Sequence, residues 1–353
     1  MFSFFQMSTG FIAVAILLSL CSSSYSADYY KWTDENGNLH FSDSSQNIPE
    51  KYRNQIKKKG HIDNAPSPTE PLVKANQAKS PSGYEESAEY PKQTIAKEEV
   101  FYSQPALLEQ KLSELKPGRK GVVDLYFVGF GGSSSEDVFM KEIKVISKLF
   151  DERFDTRGRS IALINNAQTV GTVPIATRTA LEMTVKKIAM LMNKDEDVLF
   201  LYLTSHGSKK HDLSVDFLPL QLNEIYPADI KKILNNAGIT WSVVVISACY
   251  SGGYIEPLKN ENTMIITSTD ANSRSFGCSN DSNFTYFGKA YFYDALRKSY
   301  SFIQPFDEAK KAILKRERDQ SEEPSNPQIY VGAAIRKQLE KLEKRLQKIG
   351  SGA

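Results

Sequence analysis

Five short, almost unbroken apolar runs constrain this chain more than any other feature: 122–128, 160–164, 198–203, 243–246 and 264–267. Runs this short and this continuous fit strands covered on both faces, the condition of a parallel sheet. Between them lie helix-period patterns over 136–150, 178–192 and 227–236, the last opening on Pro227 and stopping before Gly238. Alternation of this kind predicts βαβ units, an α/β fold that is doubly wound around a mostly parallel sheet. Right-handed crossovers bring every carboxyl-terminal strand end to one edge, where ligands bind in open sheets.

Two of those strand ends carry chemistry. The run at 198–203 breaks into Thr204-Ser205-His206-Gly207-Ser208, and the run at 243–246 into Ser247-Ala248-Cys249-Tyr250-Ser251-Gly252-Gly253. A thiol is mostly protonated at neutral pH and needs a base to act as a nucleophile, which His206 supplies to Cys249. Gly207, lacking a Cβ, leaves its N–H free to approach a developing oxyanion. The competing reading of Cys249 is a structural disulfide with Cys278. His211 is a second imidazole in reach of the sequence neighbourhood, but it sits among Lys and Asp in what reads as a surface loop. Ser251 lacks the first glycine of a nucleophile elbow, which argues against a serine hydrolase.

The pattern of an apolar strand, His-Gly-Ser, a helix, then an apolar strand ending in Ala-Cys-x-Ser-Gly resembles the legumain family of cysteine peptidases, related to caspases. The similarity continues in Thr269-Asp270-Ala271-Asn272-Ser273-Arg274 and in Thr285-Tyr286-Phe287-Gly288, and spans about residues 122–300. The resemblance implies a caspase-like domain over 100–350. It assigns Cys249 as nucleophile, His206 as acid and base, and the N–H groups of Gly207 and Cys249 as the oxyanion hole. It implies a protein or peptide substrate and no metal or cofactor. Ser247, Ser268, Asp270 and Lys289 are the positions it suggests for a substrate pocket. Ser247 stands where legumains carry Glu, the loop after the first strand has no Arg, and Lys289 follows Gly288, so the family's preference for asparagine does not carry over. Capture of the acyl-enzyme by an amine, making a transpeptidase, uses the same dyad. A binding protein that retains the fold without catalysis is the alternative from another class.

The N-terminal part is organised differently. Residues 11–20 form an apolar stretch of signal-peptide length, followed by Ser24-Tyr25-Ser26 as a small-x-small cleavage site, so residues 1–26 read as a signal for export. Cys21 follows the bulky Leu20, which favours soluble export over lipidation. Residues 28–60 contain two aromatic-bearing segments around Asn36-Gly37, a hairpin pattern. This piece resembles a small domain of unknown function common in exported bacterial proteins, which implies a periplasmic or envelope location. Residues 61–99, rich in Pro, Ser, Glu and Lys, read as a flexible linker.

The chain has 353 residues with 44 basic and 42 acidic side chains, a net charge of +2, which offers no global field for nucleic acid. Gly129-Phe130-Gly131-Gly132 fits no phosphate-loop spacing and reads as a turn after the first strand. Asn165 and Asn166 end the second strand, a position that suits either lining the crevice or a turn or capping role. The final helix, 333–349, is basic and amphipathic. It carries Arg336, Lys337, Lys341, Lys344, Arg345 and Lys348 with an apolar stripe of Leu339, Leu342 and Leu346, which suits a solvated face or peripheral contact with an anionic membrane.

Overall fold

A computed structural model describes residues 30–33, 39–42, 48–55 and 92–351, apart from 219 and 281. The signal segment, Cys21, the Asn36-Gly37 turn and the linker up to residue 91 lie outside the described residues. The chain divides into two compact units, Met1–Glu85 and Glu86–Ala353. In the first, β1 (Tyr30–Thr33) and β2 (Leu39–Ser42) pair antiparallel, with Trp32 opposite His40. A single-turn segment, Glu50–Gln55, follows them and buries Tyr52.

The second unit opens on α1 (Lys92–Ser113), so helix begins inside the segment read as linker. Its sheet has six strands in the order β4-β3-β5-β6-β7-β8. These are β3 (Leu125–Gly131), β4 (Ser160–Ile164), β5 (Val198–Thr204), β6 (Trp241–Ser247), β7 (Thr263–Thr267) and β8 (Gln328–Val331). All neighbours are parallel except β8, which runs antiparallel to β7. One face carries α3 (Arg178–Leu191), α4 (Pro227–Ala237) and the short α5 (Ile255–Leu258). The other carries α2 (Asp137–Arg153), the turn α6 (Tyr286–Gly288), α7 (Gln304–Asp319) and α8 (Ala333–Gly350). This is the doubly wound, mostly parallel α/β architecture expected from the sequence.

Local chemistry explains the boundaries. β3 starts at Leu125 rather than at 122 because Asp124 is a buried ionic anchor. It accepts from Arg119 N at 2.7 Å and Nε at 3.1 Å, and pairs with Arg159 at 3.4 Å. The strand also runs further than expected. Gly129 and Gly131 belong to it, where the sequence suggested a turn, because α2 packs so closely that a Cβ on Gly129 would lie 3.0 Å from Ile143 Cγ2. α4 ends as its sequence predicts, with Gly238 left-handed at φ 65°. β8 has no counterpart among the expected strands: it is short and half-buried, an edge strand without a continuous apolar run.

Strand order fixes the crevice. From β3 the chain moves outward to β4, then returns to β5 on the other side of β3 and proceeds to β6 and β7. The crossover through α2 and the one through α4 therefore cover opposite faces. Their first loops diverge above the carboxyl ends of β3 and β5, which opens a cleft at this switch point.

Candidate active site

Thr204 at the end of β5 is in register with Ser247 at the end of β6. His206 and Cys249 each lie two positions beyond that rung, and Ser205 N continues the ladder to Ser247 O at 3.2 Å. The two strand ends meet at their backbones: a Cβ on Gly207 would lie 2.3 Å from the Cys249 carbonyl oxygen, so only glycine fits without displacement. Among the described residues no group accepts a hydrogen bond from the Gly207 N–H.

A third strand end contributes Glu136, which the sequence marks only as the start of a helix. It occupies the N-cap of α2 in extended conformation, in the loop leaving β3, and its Oε2 lies 2.7 Å from His206 Nε2. Ser135 Oγ donates to the same carboxylate, and Asp216 fixes the preceding turn by accepting from Ser134 N and Oγ, both at 3.0 Å. Phe139 stands edge-on to the imidazole with centroids 5.2 Å apart. The ring of His206 is thus set by a carboxylate on one side and an aromatic edge on the other.

The turn that carries Cys249 is held from several directions. Sγ is half-buried and receives Ser275 N at 3.2 Å. Tyr250 is left-handed at φ 59°, unfavourable for a bulky residue, and the surroundings enforce it. Its N–H donates to Ser273 O at 2.8 Å, its carbonyl lies 3.0 Å from His211 Nδ1, and Arg274 Nε donates to its hydroxyl at 3.3 Å. Ser251 N donates to Thr269 Oγ1 at 2.9 Å, and the Ser251 hydroxyl is buried against Ser268 and Thr269. His211 braces this turn: a Cβ on Gly253 would come within 2.1 Å of its ring. Cys278 is also a free, half-buried thiol, and no disulfide joins it to Cys249. Burial pushes its thiol well up.

Beneath the strand ends lies a fully buried carboxylate, Glu142, on α2. It accepts from the Tyr202 hydroxyl, from Thr204 Oγ1 at 3.1 Å, and from Thr285 N and Oγ1 at 2.9 and 3.0 Å. Ser247 Oγ lies 3.3 Å from Thr285 Oγ1, so the network ties the ends of β5 and β6 to the N-cap of α6. Burial pushes the Glu142 carboxyl up, and its donors oppose that shift without cancelling it.

Each position suggested for a substrate pocket has hydrogen-bond or ion-pair partners within the domain. Ser247 and Ser268 are buried, with Ser268 Oγ accepting from Ala248 N and donating to Ala248 O, each at 3.0 Å, so both serines brace the cysteine turn from below. Asp270 accepts from Asn272 N at 2.8 Å and Asn326 Nδ2 at 3.1 Å, and those bonds hold its carboxyl below the usual range against the opposing effect of desolvation. Lys289 pairs with Asp294 at 2.7 Å along its own helical segment. Asn165 is buried and spans Gly132 O and Ala176, and Asn166 caps residues 167–169, the turn and capping roles expected. Among the described residues no group of three His, Cys, Asp or Glu side chains could hold a metal ion. Two surface hollows, one over β4 near Pro174 and one between α2 and Tyr293, contain neither His206 nor Cys249.

Residues 178–337 match the Peptidase C13 family, and residues 16–81 match a domain of unknown function, DUF4124. Comparison with curated proteins finds no match. Among solved structures the chain is similar to caspase-1 from Spodoptera frugiperda, at 13% identity and a TM-score of 0.42, over 61% of this chain and 92% of that one. The matched segment holds both the histidine and the cysteine strand ends, so this part of the chain is similar to the Peptidase C13 family.

Proposed function

We propose that the protein is an exported endopeptidase that cleaves peptide bonds through a Cys249 acyl-enzyme. His206 takes the Sγ proton, and the thiolate adds to the scissile carbonyl. The resulting oxyanion is received by the N–H groups of Gly207 and Cys249. The imidazolium then passes its proton to the departing amine, leaving a thioester. Water, deprotonated by His206, adds to that thioester, and collapse releases the acid and the thiol. Glu136 acts as a positioning residue: it holds Nε2 and places negative charge beside the imidazolium formed in each half-reaction. The observation that carries this reading is the registered pair of strand ends inside the Peptidase C13 segment, with Gly207 against the Cys249 carbonyl. Export is supported by the apolar stretch at 11–20 and the small-x-small site after it.

Digestion of a peptide library tests activity and preference together. Wild type is expected to cleave, and Cys249→Ala and His206→Ala to be silent while keeping the wild-type melting temperature. Cleavage by Cys249→Ala would refute the assignment. Export is checked by N-terminal sequencing of the protein from fractionated cells, where a start near Ala27 in the envelope fraction is expected.

A further inference from the structure

α8 is placed and charged in a way that peptide cleavage does not use. It crosses the sheet at the amino-terminal ends of the strands. At its start, Ala334 N and Ile335 N donate to Glu261 O, just before β7, at 3.0 and 2.9 Å. Midway, Gln338 Nε2 reaches Glu196 O, just before β5. Near its end, Arg345 Nη1 pairs with Asp155 Oδ2 at 2.6 Å, and Arg119 joins that same Asp155 to Asp124, just before β3. Ile335, Leu339, Leu342 and Leu346 are buried against the sheet.

Opposite that buried stripe lie Lys337, Lys341, Lys344 and Lys348, all exposed. Their spacing of four, three and four residues confines them to an arc of about 60° and a line about 16 Å long. None of the four has a carboxylate within ion-pair distance among the described residues; Lys341 donates only to Gln338 Oε1, at 3.2 Å. In a chain with a net charge of only +2, this is a local concentration of unneutralised charge.

We propose that this lysine line is a docking surface for an anionic phospholipid bilayer. A straight row of ammonium groups on a rigid helix matches a planar array of lipid phosphates, while the chain's net charge of +2 offers no wider field for a nucleic-acid backbone. Docking here leaves the crevice of His206 and Cys249 clear, because it lies at the opposite ends of the same strands. The peptidase would work in the aqueous phase beside the membrane while its amino-end surface rests on the lipid.

The test is co-sedimentation of the full chain with phosphatidylcholine vesicles, with and without phosphatidylglycerol. The neutral vesicles report any attachment through the apolar N-terminal stretch. The combined change of Lys337, Lys341, Lys344 and Lys348 to Gln is expected to lower partitioning onto anionic vesicles about 100-fold or more. Raised salt should lower wild-type partitioning, and the same four positions changed to Arg should keep it. Since all four side chains are exposed, the Gln variant should retain the wild-type melting temperature and Cys249 labelling. Equal partitioning of the Gln variant and wild type overturns the proposal, as does binding of a DNA duplex at an ionic strength where anionic vesicles are not bound.

Discussion

Replacing Glu142 separates two contributions that a buried carboxylate makes: its charge and its hydrogen bonds. The side chain is fully buried, with the Thr285 N–H and the hydroxyls of Tyr202, Thr204 and Thr285 directed at it. Burial raises its carboxyl above the ordinary value, so the folded protein keeps this proton to a higher pH than the unfolded chain does. The stability tied to that proton is full below the unfolded value. It is lost as pH rises through the interval up to the folded value, at up to about 1.4 kcal/mol per pH unit. In Glu142→Gln the amide oxygen still serves Thr285, while the amide nitrogen donates to the Tyr202 and Thr204 hydroxyls, which rotate to accept. That variant removes the charge and keeps the partners. Glu142→Leu removes both and strands the Thr285 N–H, a cost of about 1–3 kcal/mol for that donor alone. Urea unfolding of the three proteins from weakly acidic to weakly basic pH is the assay. The expected result is a smaller loss of stability with rising pH for Gln than for wild type, with Leu least stable throughout. A Gln variant with the wild-type pH slope would refute the reasoning, because the titrating group would then lie elsewhere.

Further outcomes follow from the site. Glu136→Ala should slow acylation of Cys249 by a peptide electrophile about 10²-fold with little change in KM, and Glu136→Asp should recover part of the rate; an equal effect on KM would indicate a binding role instead. Alkylation at neutral pH followed by peptide mass spectrometry should find Cys249 modified well before Cys278, whose thiol burial pushes up, and the gap should narrow as pH rises. Gly207→Ala must move the Cys249 carbonyl, which its Cβ would approach to 2.3 Å, and should lower stability by about 1–3 kcal/mol in thermal or urea unfolding while abolishing turnover. His211→Ala should lose the bond to the Tyr250 carbonyl and slow acylation without abolishing it; a silent His211 variant beside an active His206 variant would reverse their assigned roles.

The two strand ends that carry His206 and Cys249 were legible because each follows a continuous apolar run, and a buried parallel strand announces itself by composition alone. The helix boundaries of α3 and α4 were legible for a similar reason, from Pro227, Gly238 and the apolar period. Glu136 was not. In Ser133-Ser134-Ser135-Glu136 the local pattern says only that a helix begins, and the partner that gives the carboxylate its role is 70 positions away. β8 was missed because an edge strand has one neighbour and need not be apolar throughout. Gly129 and Gly131 suggested a turn, since glycine signals close approach as well as flexibility and the sequence does not show α2 pressing on the strand. The partner of Lys289, Asp294 five residues on, was not legible either, because the sequence does not show which way the ammonium turns.

The path of α8 has a consequence for the order in which this protein is completed during synthesis. The segments that carry Glu136, His206 and Cys249 all leave the ribosome before β8 and α8 exist. Yet α8 makes bonds that close over 142 positions to Glu196 and 190 positions to Asp155. Contacts so distant in sequence form late, since their loop-closure entropy must be met before they reward the fold. The amino-end brace of β3, β5 and β7 is therefore late to lock, and rigid alignment of the three loops that carry Glu136, His206 and Cys249 waits until α8 has emerged.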